Sequence, residues 1–276
     1  MCSSDLPGEK NVVPALQVQG SSVGAGSGEK TSGGSAKPGG KAGKVDWDFL
    51  SGLEGGASRG TPKEEDIARF LAKHGETPAN LVVAFEIAKD RRWLDRALEL
   101  FPKSPLVLMK AIEAAPNPPA KEGEKYAPDP ERMALIERFK EADPNNPVPR
   151  FFAAQELFKS GATPEAIAEI RAALDRPAFY VYANERMDAA QRLYGSLGMG
   201  EIEASAVAMF GLTLPHMTAA NQASRGLMEW QKSAAESGDA ASSDDALRLT
   251  YALGRTFATP EASRLLIGQL VGLAME

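Results

Sequence analysis

Nine times along this chain a residue able to cap a helix is followed directly by proline, and seven of these pairs read as helix starts: Thr61-Pro62, Thr77-Pro78, Ser104-Pro105, Asp129-Pro130, Asn146-Pro147, Thr163-Pro164 and Thr259-Pro260. The capping side chain accepts a hydrogen bond from an orphan backbone N–H, and proline suits the first helical position, where its missing N–H would have had no partner. Repetition of this one device predicts helix after helix and leaves little chain for a sheet. The apolar spacing agrees. Ile67, Phe70 and Leu71 recur at helical intervals, as do Leu81, Val82 and Phe85, then Trp93, Leu94, Ala97, Leu98 and Phe101, then Met133, Ile136 and Phe139. Helices of about a dozen residues are marginal alone, so these faces must pack on neighbours, as in a helical solenoid.

Residues 143–177, DPNNPVPRFFAAQELFKSGATPEAIAEIRAALDRP, resemble a tetratricopeptide repeat. Asp143-Pro144 opens the unit, Ala153, Ala154 and Leu157 lie on its first helix, and Gly161 ends that helix. Ala166, Ile170, Ala173 and Leu174 lie on the second, and Pro177 closes it. Pro144 and Pro177 stand 33 residues apart, against a family period of ~34. A more degenerate copy covers 77–105, with Ala84 and Ala88, then Ala97, then Phe101-Pro102, and its inter-helix turn is shortened. A Pro-rich insertion, 116–130, separates the two copies.

The resemblance implies an all-α fold, a right-handed α-α superhelix, whose concave face, lined by the first helix of each pair, takes a protein or peptide partner. On the 147–160 helix it points to Arg150, Gln155 and Lys159, which could equally form an ordinary solvated face. Beyond 178 the repeats become irregular. Helices are expected near 178–196, 200–211, 214–236, 243–257 and 260–275, and the third of these, too long for a repeat helix, is expected to act as a buttress. As a whole, 61–276 is also similar to uncharacterised bacterial helical-repeat proteins of the Verrucomicrobia type, through FLAKHGETPANLVVAF, the DPNNP helix pair and GLTLPHM. That likeness implies a cell-envelope or periplasmic location, with an anchor upstream.

The preceding region has a different character. Residues 7–44 are rich in Gly, Ser and Lys and lack the apolar surface needed to offset chain entropy, so a disordered linker is expected there. Within it, GAGSGEKT imitates a phosphate-binding loop, but Glu29 stands where glycine should precede the lysine, and no apolar strand leads in. Residues 45–60 carry Trp47, Phe49, Leu50 and Leu53, either a segment that docks on the first helices or a linear motif that engages another protein through Trp47 and Phe49. The six opening residues, MCSSDL, are encoded by the end of a common sequencing adapter read from a GTG start. Residues 1–6 are therefore expected to be read-through, the C-terminus to be incomplete, and Cys2 no lipid anchor.

Composition excludes several classes. The formal charge of −6 falls entirely on 61–276, the wrong sign for nucleic acid. One cysteine and two separated histidines, His74 and His216, give no metal-binding spacing and no disulfide. His74, before Gly75, reads as a C-terminal helix residue, His216 as one packed on Met217, and Glu64, Glu65 and Asp66 as first-turn acids. No nucleophile, base and acid stand at a recognisable spacing, so no catalytic, cofactor or metal residue is assigned, and no enzyme is expected. The longest apolar run, LLIGQLVGLA at 265–274, falls short of the ~20 residues of a membrane span. The expectation is a non-catalytic interaction scaffold tethered to the envelope; the alternative is a structural periplasmic solenoid or an enzyme-associated subunit.

Overall fold

The computed structural model describes residues 62–116, 126–176, 180–211 and 215–257. The opening residues, the linker, Trp47, Phe49, the 45–60 segment, the core of the Pro-rich insertion, the side chain of His216 and the last expected helix lie outside them. The described residues form helices and no strand. They run α1 (Glu64–His74), α2 (Pro78–Ala88), α3 (Arg91–Leu100), α4 (Pro105–Ala114), α5 (Pro130–Ala142), α6 (Val148–Ser160), α7 (Thr163–Leu174), α8 (Ala183–Ser196), α9 (Glu201–Phe210), α10 (Pro215–Ser237) and α11 (Ala240–Phe257).

The described cap-proline starts work in four ways. Thr77 accepts from Asn80 N before Pro78, and Asp129 accepts from Glu131 N and Arg132 N before Pro130. Ser104 precedes Pro105 without a side-chain cap bond. At α6, Pro147 is itself the N-cap, and at α7 Thr163 is the first helical residue. Helix ends are as legible: Gly75 and Gly161 have φ of 83° and 77°, which glycine adopts without steric cost.

Consecutive helices pair as α2 with α3, α4 with α5, and α6 with α7, and each pair packs on the next. The two members differ sharply in burial. In α3 only Leu94 and Ala97 are buried, and in α7 Ala166, Ile167, Ile170 and Ala173 form one stripe, as expected of helices with one solvated face. The first members are buried in unbroken runs: Asn80 to Ala84 in α2, Leu106 to Ile112 in α4, Phe151 to Glu156 in α6. A helix apolar all round needs cover on both sides.

The cover is supplied by the chain itself. Helix α8 returns to pack on α1 and α2, with α9 folded back on α8, and the 23-residue α10 packs on α6 and α7 and pairs with α11. The approach of α10 to α6 is close enough to require glycine: a Cβ on Gly226 would lie 2.5 Å from the Phe158 ring. Long-range side-chain bonds fix the return path. Asn80 donates to the carbonyls of His74 and Gly75 and accepts from Arg192 of α8. Asn146, fully enclosed, donates to the Tyr180 carbonyl at 2.7 Å and to the Tyr182 hydroxyl, and its own carbonyl oxygen accepts from Val148 N. Tyr182 adopts a left-handed φ of 53° at the entry to α8 and donates to Asp143; burial, first, and that bond raise its phenol.

Candidate functional site

The three residues assigned to the inner face of α6 have separate commitments. Arg150 pairs with Glu169 of α7 at 2.8 Å, and Lys140 pairs with the other oxygen of the same carboxylate at 2.6 Å. Gln155 is only 6% exposed and donates to Gln222 of α10. Lys159 lies 3.4 Å from Glu156 and 5.7 Å from the centroid of the Tyr126 ring. Below them Glu156, wholly buried, accepts from Tyr126 and from Arg132, whose guanidinium also donates to the Ile112 carbonyl. Burial and the Glu156 bond hold the Tyr126 phenol above its ordinary value. This is a fully engaged structural network.

A cleft of about 900 Å³ opens elsewhere, between α1, α2 and α4 on one side and α8 and α9 on the other. Helix α4 packs on α2, α3 and α5, while α8 lies against α1 and α2 and α10 against α6 and α7, so among the described residues no inner helix runs along α4. The cleft walls are apolar, with Val83, Ile87, Leu197, Met199 and Val207. Its floor is charged. Lys110 Nζ stands 2.6 Å from Glu86 Oε1 and 3.0 Å from Glu113 Oε2, and Arg186, 2% exposed, reaches Glu86 Oε1 from α8. The Lys110 ammonium also lies 5.9 Å from the centroid of Phe85.

Glu113 Oε1 is buried without a hydrogen-bond partner. Burial lifts the Glu113 carboxyl above the usual carboxylate range, against the opposing pull of Lys110. Tyr194 on the α8 wall is raised too, by burial first and by Glu86 second. At the mouth stand Lys63, the N-cap of α1, and Lys89, which closes α2 with a left-handed φ of 57°. Both are exposed and neither makes an ion pair among the described residues. Asp66, also on the lining, is already paired with Arg69.

A second, shallower cleft of about 710 Å³ lies between α6 and α7 and the α10–α11 pair, beside Phe158 and Trp230. Arg171 and Asp245 pair across it.

None of the cleft-floor residues was assigned from sequence, although a signal existed. Glu86 is the one charge in PANLVVAFEIA, and Lys110 and Glu113 are the charges in PLVLMKAIEA. A charge in an otherwise apolar helix needs a buried partner. That the partner of Glu86 is Arg186, a hundred residues on, has no local trace.

Among the described residues no group of three or more His, Cys, Asp or Glu is placed to hold a metal ion, and no helix is long and apolar enough to cross a membrane. Comparison with family models, curated proteins and solved structures returned no match.

Proposed function

We propose that this protein is a non-catalytic binding scaffold, built on tetratricopeptide-type helix pairs in a right-handed superhelix, and that it takes an acidic, apolar-anchored segment of a partner protein in the α1–α2–α4–α8–α9 cleft. One observation carries the reading. The cleft combines apolar walls with two uncommitted cations at its mouth, Lys63 and Lys89, in a chain whose net charge is −6. Apolar anchors supply affinity, and rim charges steer and orient the partner. The floor groups pair with one another through Lys110 and Glu86, and so shape the site. Residence in the cell envelope, through an upstream tether, is part of the proposal and rests on the sequence likeness alone.

One observation favours a second reading, a structural solenoid without a groove: Gln155 is tied to Gln222, and α10 covers the inner side of α6. Partner capture by cross-linking in the native cell separates the two. Lys63→Glu with Lys89→Glu is expected to abolish capture, while Arg150→Ala with Lys159→Ala leaves it intact. The reverse pattern would relocate binding to the α6 face. Absence of any stoichiometric partner for the unaltered chain would favour the structural reading.

A further inference from the structure

We infer that the cleft reads a primary carboxamide, the side chain of an asparagine or glutamine in the partner segment, through the Tyr194 hydroxyl and the second carboxylate oxygen of Glu86. The inference rests on the reading of the cleft as a binding site and names the group that its polar lining selects. Glu86 spends Oε1 on both Lys110 and Arg186, while its Oε2 makes no hydrogen bond or ion pair among the described residues. Tyr194, half-buried on α8, makes no hydrogen bond through its hydroxyl among them either. Among the described residues the buried side-chain oxygens that lack a partner are Glu113 Oε1 and Glu185 Oε2. The Glu86 and Tyr194 oxygens therefore keep contact with solvent, and both residues line the cleft. Burial first, and the charge of Glu86 second, hold the Tyr194 phenol above its ordinary value. The hydroxyl thus keeps its proton, and Glu86 lies within its electrostatic reach.

An open carboxylate oxygen accepts and a protonated phenol donates, so the group that satisfies both must carry a donor and an acceptor. A cation would be the third on one carboxylate, after Lys110 and Arg186, and would have to pass Lys63 and Lys89 at the mouth. An anion would lie against Glu86 itself. A neutral carboxamide meets both groups, its N–H donating to Glu86 Oε2 and its carbonyl accepting from Tyr194. It also stands at the end of a short apolar stem, which suits a polar floor reached between apolar walls. Carboxylates elsewhere in the segment answer Lys63 and Lys89. A half-buried hydroxyl without a partner costs the free chain some stability, and a bound acceptor returns it. Tyr194 therefore matters for binding and not for folding.

The test titrates the full chain with 4-fluorobenzamide, an aromatic carboxamide small enough for a cleft of about 900 Å³, and reads binding by fluorine NMR. 4-Fluoroacetophenone, of nearly the same shape, keeps the carbonyl and has no N–H; it should bind at least roughly tenfold more weakly, because a bond to a charged acceptor is lost. Tyr194→Phe should weaken 4-fluorobenzamide about two- to twelvefold, the range for a neutral hydrogen bond. The same substitution should leave the urea unfolding midpoint where it was or slightly higher. 4-Fluorobenzyl alcohol, with donor and acceptor on one atom, should bind less well than the amide. The inference is overturned if 4-fluorobenzamide does not bind, if the ketone or the alcohol binds as well, or if Tyr194→Phe leaves the affinity unchanged. A loss of stability in Tyr194→Phe would also overturn it, because the hydroxyl would then be engaged within the chain. The cleft reading survives any of these failures if Lys63→Glu with Lys89→Glu still abolishes capture of the cellular partner.

Discussion

Replacing Gly226 by alanine tests the central packing relation of this fold, the seating of α10 on α6. An added Cβ would meet Phe158 Cγ and Cδ2 at 2.5 Å and Cδ1 at 2.8 Å, whereas carbon atoms rest at about 3.5–4.0 Å. The helices must separate by about 1 Å or the Phe158 ring must leave its place against the core. Overpacking of this kind costs roughly 1–3 kcal/mol. The substitution also gains helix propensity, about 0.8–1.0 kcal/mol for alanine over glycine, so the net loss should be about 0–2 kcal/mol, or up to roughly 8 °C in Tm for a domain of this size.

Gly195→Ala is the matched control. That glycine is also helical, in α8, and nothing lies within 4 Å of its built Cβ, so propensity acts alone and stability should rise by about 0.5–1 kcal/mol. Urea unfolding followed by far-UV circular dichroism reads both. In a Phe158→Ala background Gly226→Ala should change sign and become stabilising, because the obstructing ring is gone. If Gly226→Ala stabilises the unaltered chain as Gly195→Ala does, or if the Gly226 and Phe158 changes simply add, α10 does not lie against α6 and the closed inner face is wrong.

Three further outcomes follow from buried polar groups. Because the Glu113 pKa is raised on folding from an ordinary value of 4.5, the unfolded chain loses this proton first; stability should fall as pH rises above about 4.5 and until the folded group has ionised. Unfolding measured across pH should show a shallower fall for Glu113→Gln than for the unaltered chain. Arg132→Met strands the fully buried Glu156, a loss of about 3 kcal/mol, and Arg132→Met with Glu156→Leu should recover most of it; failure of the pair to recover would mean that Tyr126 or the Ile112 carbonyl needs the guanidinium. Asn146→Ala removes the bonds to the Tyr180 carbonyl, the Tyr182 hydroxyl and Val148 N, at a cost of about 2–3 kcal/mol; hydrogen exchange should quicken at the start of α8 as well as of α6, and an effect confined to α6 would contradict the crossover contact.

What the sequence made legible was whatever is settled within one or two turns. Thr77, Asp129, Gly75 and Gly161 mark helix ends through bonds or dihedral angles that involve their own neighbours. The helix pair α6–α7 matches the DPNNP unit because the small residues Ala153, Ala154, Ala166 and Ala173 are all buried within it. Asn146 keeps the expected cap bond, its side-chain oxygen accepting from Val148 N, while its amide nitrogen reaches Tyr180 and Tyr182, more than thirty residues away. Thr163 departs from the cap role, because the helix there starts one residue earlier than proline at its first position would set it. Arg150, Gln155 and Lys159 were assigned by likeness to repeats with an open concave face. The apolar, all-round character of PANLVVAFEIA and VPRFF already argued for cover on that face, yet periodicity names no covering partner. Buttressing by the long helix was readable from its length; the glycine that lets it approach Phe158 was not.

The location of charge in the first helices follows from the same cover. Where α8 crosses α2 and α10 crosses α6, Leu, Val, Ala and Phe gain by exclusion of water, and the buried Asn80 and Gln155 are satisfied across those contacts by Arg192 and Gln222. Along α4 no described inner helix runs, and there Lys110 and Glu113 appear, joined by Glu86 and Arg186 from the flanking helices. An ion pair of this depth is weak evidence for stability, because desolvation offsets most of the attraction and an apolar set of the same volume would serve as well. Removing one member is nonetheless expensive, since it strands the others in a poorly solvated site. The cluster therefore makes the open stretch intolerant of collapse: α8 cannot slide over α4 to fill the cleft without separating Arg186 from Glu86. A cavity floored by buried charges is an unfavourable way to finish a core; on the reading proposed above it is a sound way to keep a binding site formed before its ligand arrives, and the lysines at its mouth are then where recognition is to be sought first.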